Sequence, residues 1–365
     1  IVLHPMYRLL RRSILGLLAL TSLMVACNRQ LAKAPLPESL VIFPPPPDTT
    51  RIQFLTHFSS STDLEGEAGG FQRFLFGEEK PQTLLKPYGI TAHRDKVYIC
   101  DTGLGGLVIL DLANAAFEYF IPGGKGRLKL PINCCLDEQG RLFVADANRG
   151  QIVVFDRDLN FLHAFGEGNG FRPTDVAVHQ GSIWVASVHD HSLYRYGAAD
   201  YSLIGKLPDL TEQEDGFIRQ PTNISVQDNR LYVSDFGDFN VKLFGLNGDY
   251  QGKVGSFGNG PGNFTRPKGI ALDRENNLYV VDAAFENVQI FNGEGKLLMH
   301  FGGAYDGAGS MWLPAAVEIS YENLSFFEPY VDESYRLKYL IYVSNQYGPA
   351  KINVYGFVEE KDALP

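Results

Sequence analysis

An all-β ring of repeated four-stranded units is predicted for this 365-residue chain by three observations. A proline-headed apolar segment recurs six times at nearly even spacing. Each copy is followed by further short apolar runs separated by turn residues. The composition, with 38 glycines, 20 prolines and 12% aromatic residues, supplies both turn and strand formers, and no amphipathic helical period interrupts the repeats.

The elements follow in chain order. Arg8, Arg11 and Arg12 precede an apolar run from Ile14 to Ala26, too short to span a bilayer comfortably and patterned as a secretory signal, residues 1–26, with Met6 as the expected start. The run ends Leu23-Met24-Val25-Ala26-Cys27, which resembles the bacterial lipobox. That resemblance implies a lipid-bearing Cys27. With Asn28 rather than Asp after it, it also implies the outer membrane of the cell envelope as the destination. Residues 27–50 read as a spacer, because Pro44-Pro45-Pro46-Pro47 favours an extended polyproline segment. Arg51-Ile-Gln-Phe-Leu-Thr-His-Phe58 then reads as an orphan strand.

The repeats come next. Lys86-Pro-Tyr-Gly-Ile, Leu130-Pro-Ile-Asn-Cys, Arg172-Pro-Thr-Asp-Val, Gln220-Pro-Thr-Asn-Ile, Arg266-Pro-Lys-Gly-Ile and Leu313-Pro-Ala-Ala-Val align with prolines at 87, 131, 173, 221, 267 and 314. Second strands follow, as in Leu142-Phe-Val-Ala-Asp146 and Leu278-Tyr-Val-Val-Asp282, then third strands such as Asn287-Val-Gln-Ile-Phe291. Several units add a fourth, as at Phe161 to Phe165. Four strands per unit and six units make a six-bladed β-propeller over residues 51–358, with 359–365 as a short polar tail. The last unit shows only three clear strands, so the strand at 51–58 is expected to complete it and cover a naked edge.

These motifs resemble the NHL repeat, and Arg266-Pro-Lys-Gly-Ile-Ala-Leu-Asp with Asn277-Leu-Tyr-Val-Val-Asp is close to its consensus. The resemblance covers about residues 86–357 and implies the fold. The superfamily includes ligand-binding sensors, protein- and RNA-binding modules and a few enzymes.

Propeller geometry places the residue two after each proline around the upper tunnel: Gly89, Asn133, Asp175, Asn223, Gly269 and Ala316. Asn133, Asp175 and Asn223 are similar to the calcium site of six-bladed lactonases and gluconolactonases, which implies Ca²⁺ as a candidate cofactor, since hard cations take oxygen ligands. Asx side chains at a strand start also satisfy neighbouring backbone groups, so both readings stand. His189 and His191 lie in one upper loop, and no third zinc ligand can be named for them. With Arg149, Arg172, Phe239, Arg266, Lys268, Phe285 and Tyr347 they are expected to form an upper rim for a peptide, a glycan or an anionic ligand.

Phe326, Phe327, Tyr330 and Tyr335 sit in an over-long lower loop of the sixth unit. They are read equally as a partner interface and as a brace for the closing strand. The recurrent Asp101, Asp146, Asp235 and Asp282 are expected to bond the following turns. Cys100, Cys134 and Cys135 are expected to pack rather than pair.

A net charge of −10 argues against nucleic acid as a partner, and no catalytic residue is assigned. The expected function is a lipid-anchored envelope module that binds a protein partner or small ligand. The alternative is a metal-dependent lactonase- or lyase-like enzyme with its site in the upper tunnel.

Overall fold

The computed structural model describes residues 40–66, 80–166, 168 and 170–361. The signal segment and Cys27 lie outside the described residues. Among those described, no helix is long and apolar enough to cross a membrane.

Six antiparallel sheets form the predicted ring. Blades one to six begin with inner strands Pro87–His93, Pro131–Leu136, Pro173–His179, Pro221–Gln227, Pro267–Leu272 and Pro314–Ser320. Proline suits this place because the inner strand is a sheet edge facing the tunnel, where a missing N–H breaks no ladder. Second strands such as Ser182–Ser187 are buried along their whole length, because both faces of a blade pack on neighbouring blades. The lower hairpins are tight. In blade three Gln180 and Gly181 both have positive φ, 46° and 73°, as a two-residue turn matched to the twist of its strands requires.

The core is correspondingly divided. Six hydrophobic clusters occupy the interfaces between adjacent blades, one cluster per interface among the described residues. One of them, between blades three and four, gathers Trp184, Leu193, Ile224, Val233 and Phe244.

The ring closes as expected: Ile52–Phe58 pairs antiparallel with Ile352–Glu360, so the sixth sheet is joined from both ends of the domain. The preceding segment corrects the expectation of an extended spacer. Ile42–Phe43 pairs with Ile52 and Gln53 as a fifth strand, so the four prolines lie in the hairpin turn, where Thr50 Oγ1 donates to the Pro44 carbonyl at 3.1 Å. Polyproline geometry gives way because Val41 and Phe43 gain apolar cover against the outer face of blades five and six. The last strand likewise runs to Glu360, two residues past the expected boundary.

The recurrent aspartates are structural, and they do more than bond the following turn. Asp101 Oδ1 accepts from the Gly103 and Leu104 amides, while its two oxygens also take the amides of Leu85 and Lys86 before the blade's proline. Asp146, Asp235 and Asp282 repeat the pattern. One buried carboxylate thus satisfies several backbone donors that would otherwise be orphaned. The three cysteines described are free; Cys100 and Cys134 are buried between blades one and two.

The lower insertion corrects the docking reading. Phe327 is 0% exposed, Tyr330 and Tyr335 are buried, and Phe326 packs against the same core. The Phe327 ring meets Phe58 of the closing strand at 6.4 Å and Tyr342 at 6.0 Å. Gln53 of that strand donates to the Tyr330 carbonyl and accepts from the Asp332 amide. These aromatics therefore face inward and brace the closing strand, because burying them against Phe58 removes a large apolar area from water.

Candidate functional site

The tunnel is a cavity of about 350 Å³ lined by the inner strands. Asn133, Asp175, Asn223, Gly269 and Ala316 all line it as predicted. Gly89 packs directly on Asn133: a β-carbon there would stand 2.0 Å from Asn133 Oδ1 and 2.5 Å from its Cα. Gly269 is set against blade six in the same way, 2.4 Å from the Ala316 Cα. Only glycine allows blades to approach so closely at these two positions.

The polar residues of this layer fasten one blade to the next. Asn133 Nδ2 donates to the Thr174 carbonyl at 2.9 Å, and Thr174 Oγ1 donates to the Pro221 carbonyl at 3.0 Å. Asp175 Oδ2 accepts from the Ile224 amide and Oδ1 from the Val176 amide, both at 2.8 Å, with Asn223 Nδ2 at 3.5 Å. Burial dominates nonetheless and pushes the Asp175 carboxyl up to about 7, since a charge removed from water outweighs the amides that favour it.

Asn133, Asp175 and Asn223 are thus brought together, but they do not fit calcium. They offer one carboxylate, both of whose oxygens are engaged by backbone amides, and Asn223 Oδ1 is the only oxygen of the set that is buried without a partner. A calcium shell needs six to eight oxygens. Among the described residues no group of three His, Cys, Asp or Glu is placed to hold a metal.

One layer deeper lies a residue the sequence reading missed. Glu318 lines the tunnel at the fourth position after its proline, where the other blades carry Thr91, Cys135, Ala177, Ser225 and Ala271. Its Oε1 accepts from the Ala92 amide at 3.1 Å and from Thr91 Oγ1 at 3.3 Å, tying blade six to blade one. Burial raises its carboxyl to about 7, and the Asp175 charge adds to the rise. Aligning the six inner strands position by position would have exposed it as the one charged residue of its layer.

Above the tunnel the mouth is roofed by Lys268 and Tyr88. Lys268 Nζ lies 5.0 Å from the centre of the Tyr88 ring, joining blade five to blade one. Burial, with repulsion from Arg266 and Lys86, lowers the Lys268 ammonium to about 8. Burial and the charge of Asp175 raise the Tyr88 phenol to about 12. Lys86 Nζ lies 5.3 Å from the centre of the Tyr347 ring. Among the described residues, none of Lys86, Arg266 and Lys268 forms an ion pair with a carboxylate.

The expected rim is therefore not one surface. Lys268, Arg266 and Tyr347 converge at the mouth, joined by Tyr88 and Lys86, whose place in the Lys86-Pro-Tyr-Gly motif was the available signal. Arg149 turns outward, its guanidinium bound to Gln151 Oε1 and the Arg127 carbonyl. Arg172 is exposed at the edge of blade three, and His189 stands beside Gly170. His191 Nδ1 bonds the Arg219 carbonyl, with its ring against Phe217. Phe239 packs on Phe257 at 4.8 Å, and Phe285 lines a separate hollow with Pro261 and His300. Short contacts to neighbouring loops capture Arg149, His191 and Phe239 one by one.

Fold and tunnel together define a six-bladed β-propeller. A family described as a 6-bladed beta-propeller, DUF5128, matches residues 208–361, which take in blades four to six. Among solved structures the chain is similar to a gluconolactonase from Xanthomonas campestris, at 13% identity and TM-score 0.57, over 92% of this chain and 99% of that one. It is also similar to a structural genomics protein from Bacteroides thetaiotaomicron, at 12% identity and TM-score 0.57, over 85% and 76% of the two chains. Virginiamycin B lyase from Staphylococcus aureus follows, at 14% identity and TM-score 0.51, over 74% and 80%. At such identities the likeness is one of fold. No curated protein sequence matches the chain.

Proposed function

We propose that this chain is a lipid-anchored binding module of the bacterial cell envelope whose recognition site is the upper mouth of the tunnel. The observation that carries the reading is the division of labour within the tunnel. Asn133, Thr174, Asp175 and Glu318 in the tunnel are committed to backbone groups of adjacent blades, while the mouth holds three cations without acidic partners beside two tyrosine rings. Such a site is built to hold a molecule rather than to transform one, because no nucleophile, base or metal set converges there among the described residues. A concave mouth on a rigid ring suits a small ligand better than a broad protein surface. Anchorage is proposed on the lipobox-like run ending at Cys27.

Native mass spectrometry of the full chain, extracted from its own envelope without chelator, tests the reading. A stoichiometric small-molecule adduct lost on Tyr88→Ala is the expected result. A stoichiometric calcium adduct lost on Asp175→Ala would overturn it in favour of a metal-dependent hydrolase. Cys27→Ser is expected to release the protein from membranes, and continued membrane association would refute the anchor.

A further inference from the structure

We infer that the tunnel mouth takes a small molecule bearing a carboxylate or phosphate group, held by Lys268, Lys86 and Arg266 and flanked by the rings of Tyr88 and Tyr347. This names the ligand class for the site proposed above and rests on that reading.

The chain carries 42 acidic residues against 32 Lys and Arg, so an unneutralised cationic cluster runs against its overall balance. Two of the buried or half-buried cations elsewhere are paired with carboxylates, while Arg195 stands over the Trp184 ring and donates to Ser182 Oγ; at the mouth several unpaired cations gather. Lys242 Nζ sits 2.7 Å from Asp235 and 2.8 Å from Asp238, and Arg141 Nε is 2.7 Å from Asp137. At the mouth, Lys268 and Lys86 have aromatic faces instead, a weak attraction between a cation and a ring. A ring satisfies the charge but accepts no conventional hydrogen bond, so the ammonium donors stay available to an acceptor. The carboxylate that acts on Tyr88, Asp175, lies in the layer below with both oxygens bound to amides. It cannot serve as the counter-ion.

Geometry then selects size and class. Lys268 of blade five meets the Tyr88 ring of blade one across blade six, with Arg266 and Lys86 near enough to repel its ammonium, so the positive charge is gathered in one small region of a net acidic chain. Oxyanions are the ligands that ammonium and guanidinium groups bind best together, by charge-assisted hydrogen bonds. A molecule that also carries a planar or apolar part would stack on the tyrosine rings.

The test is calorimetric titration of the full chain with citrate, inorganic phosphate and, as a neutral probe, glucose, at matched ionic strength. Citrate or phosphate is expected to bind saturably, with affinity falling about tenfold or more in Lys268→Met and retained in Lys268→Arg. Unchanged melting of both variants without ligand would show that the ring is intact. Equal anion binding by the natural chain and Lys268→Met would overturn the inference. So would glucose binding that is lost in Tyr88→Ala while both anions fail, although the mouth would then stand as the recognition site. Failure of all three probes would overturn the inference, and an extracted chain free of adducts would in addition remove the binding reading.

Discussion

Replacing Glu318 with glutamine isolates the energetic role of a buried charge in the tunnel. Both hydrogen bonds to blade one end on the same oxygen, Oε1, so the amide keeps them and replaces only Oε2, which accepts no hydrogen bond from the described residues. The substitution therefore removes charge without removing contacts. In the folded chain the carboxyl is raised from 4.5 to about 7, first by burial and then by the Asp175 charge. A raised acid costs nothing while both folded and unfolded chains are protonated; stability is lost as the unfolded chain ionises first, until the folded carboxyl ionises as well. Stability of the natural chain should thus fall as pH rises from 4.5 through 7. At about 1.4 kcal/mol per pKa unit the penalty is about 3 kcal/mol above that window. Glu318 is only partly buried, and solvent screening leaves about 2 kcal/mol. The Glu318→Gln variant is expected to match the natural chain at about pH 4.5 and to exceed it by that amount at about pH 8, read by urea unfolding followed by tryptophan fluorescence. Equal pH dependence in the two chains would refute the argument. A variant less stable at the higher pH would show that the ionised carboxylate has a favourable partner in the tunnel.

Two further outcomes follow from packing. Phe327→Ala should destabilise the domain by about 3–5 kcal/mol, because the ring is fully buried against Phe58, Tyr330 and Tyr342; a change near zero in denaturant unfolding would restore the insertion as an exposed docking loop. Lys242→Met should cost about 3 kcal/mol by the same measurement. The ammonium is 3% exposed and bridges Asp235, Asp238 and the Phe217 carbonyl, and an unchanged midpoint would mean that the backbone amides alone compensate Asp235.

Six blades were legible in the chain because each repeat carries its own local instructions. Proline marks the tunnel edge, alternation and β-branched runs set the strands, and the terminal Asp fastens the turn and the residues before the proline. The closing strand was legible too, since a unit with three strands leaves an edge and Arg51 to Phe58 had no other partner. The upper tunnel layer followed from the repeat register alone. Its chemistry did not. Asn133, Asp175 and Asn223 look like free ligands when written in a line, whereas in the ring each reaches an adjacent blade's backbone or side chain within 3.5 Å.

What only the tertiary structure decided concerns directions and distant neighbours. The prolines at 44–47 read as a spacer until Ile42 and Phe43 found the outer edge of blade six. The aromatics of the insertion read equally as an interface and as a brace until Phe58, some 270 residues earlier in the chain, offered them a core. Lys268 and Tyr88 are 180 residues apart and meet because closing a six-membered ring brings blade five within a side chain's length of blade one. A repeat specifies its own strands and turns through local propensity. Which charges are left without partners at the centre of the ring depends on all six blades at once, and is settled only when the ring closes.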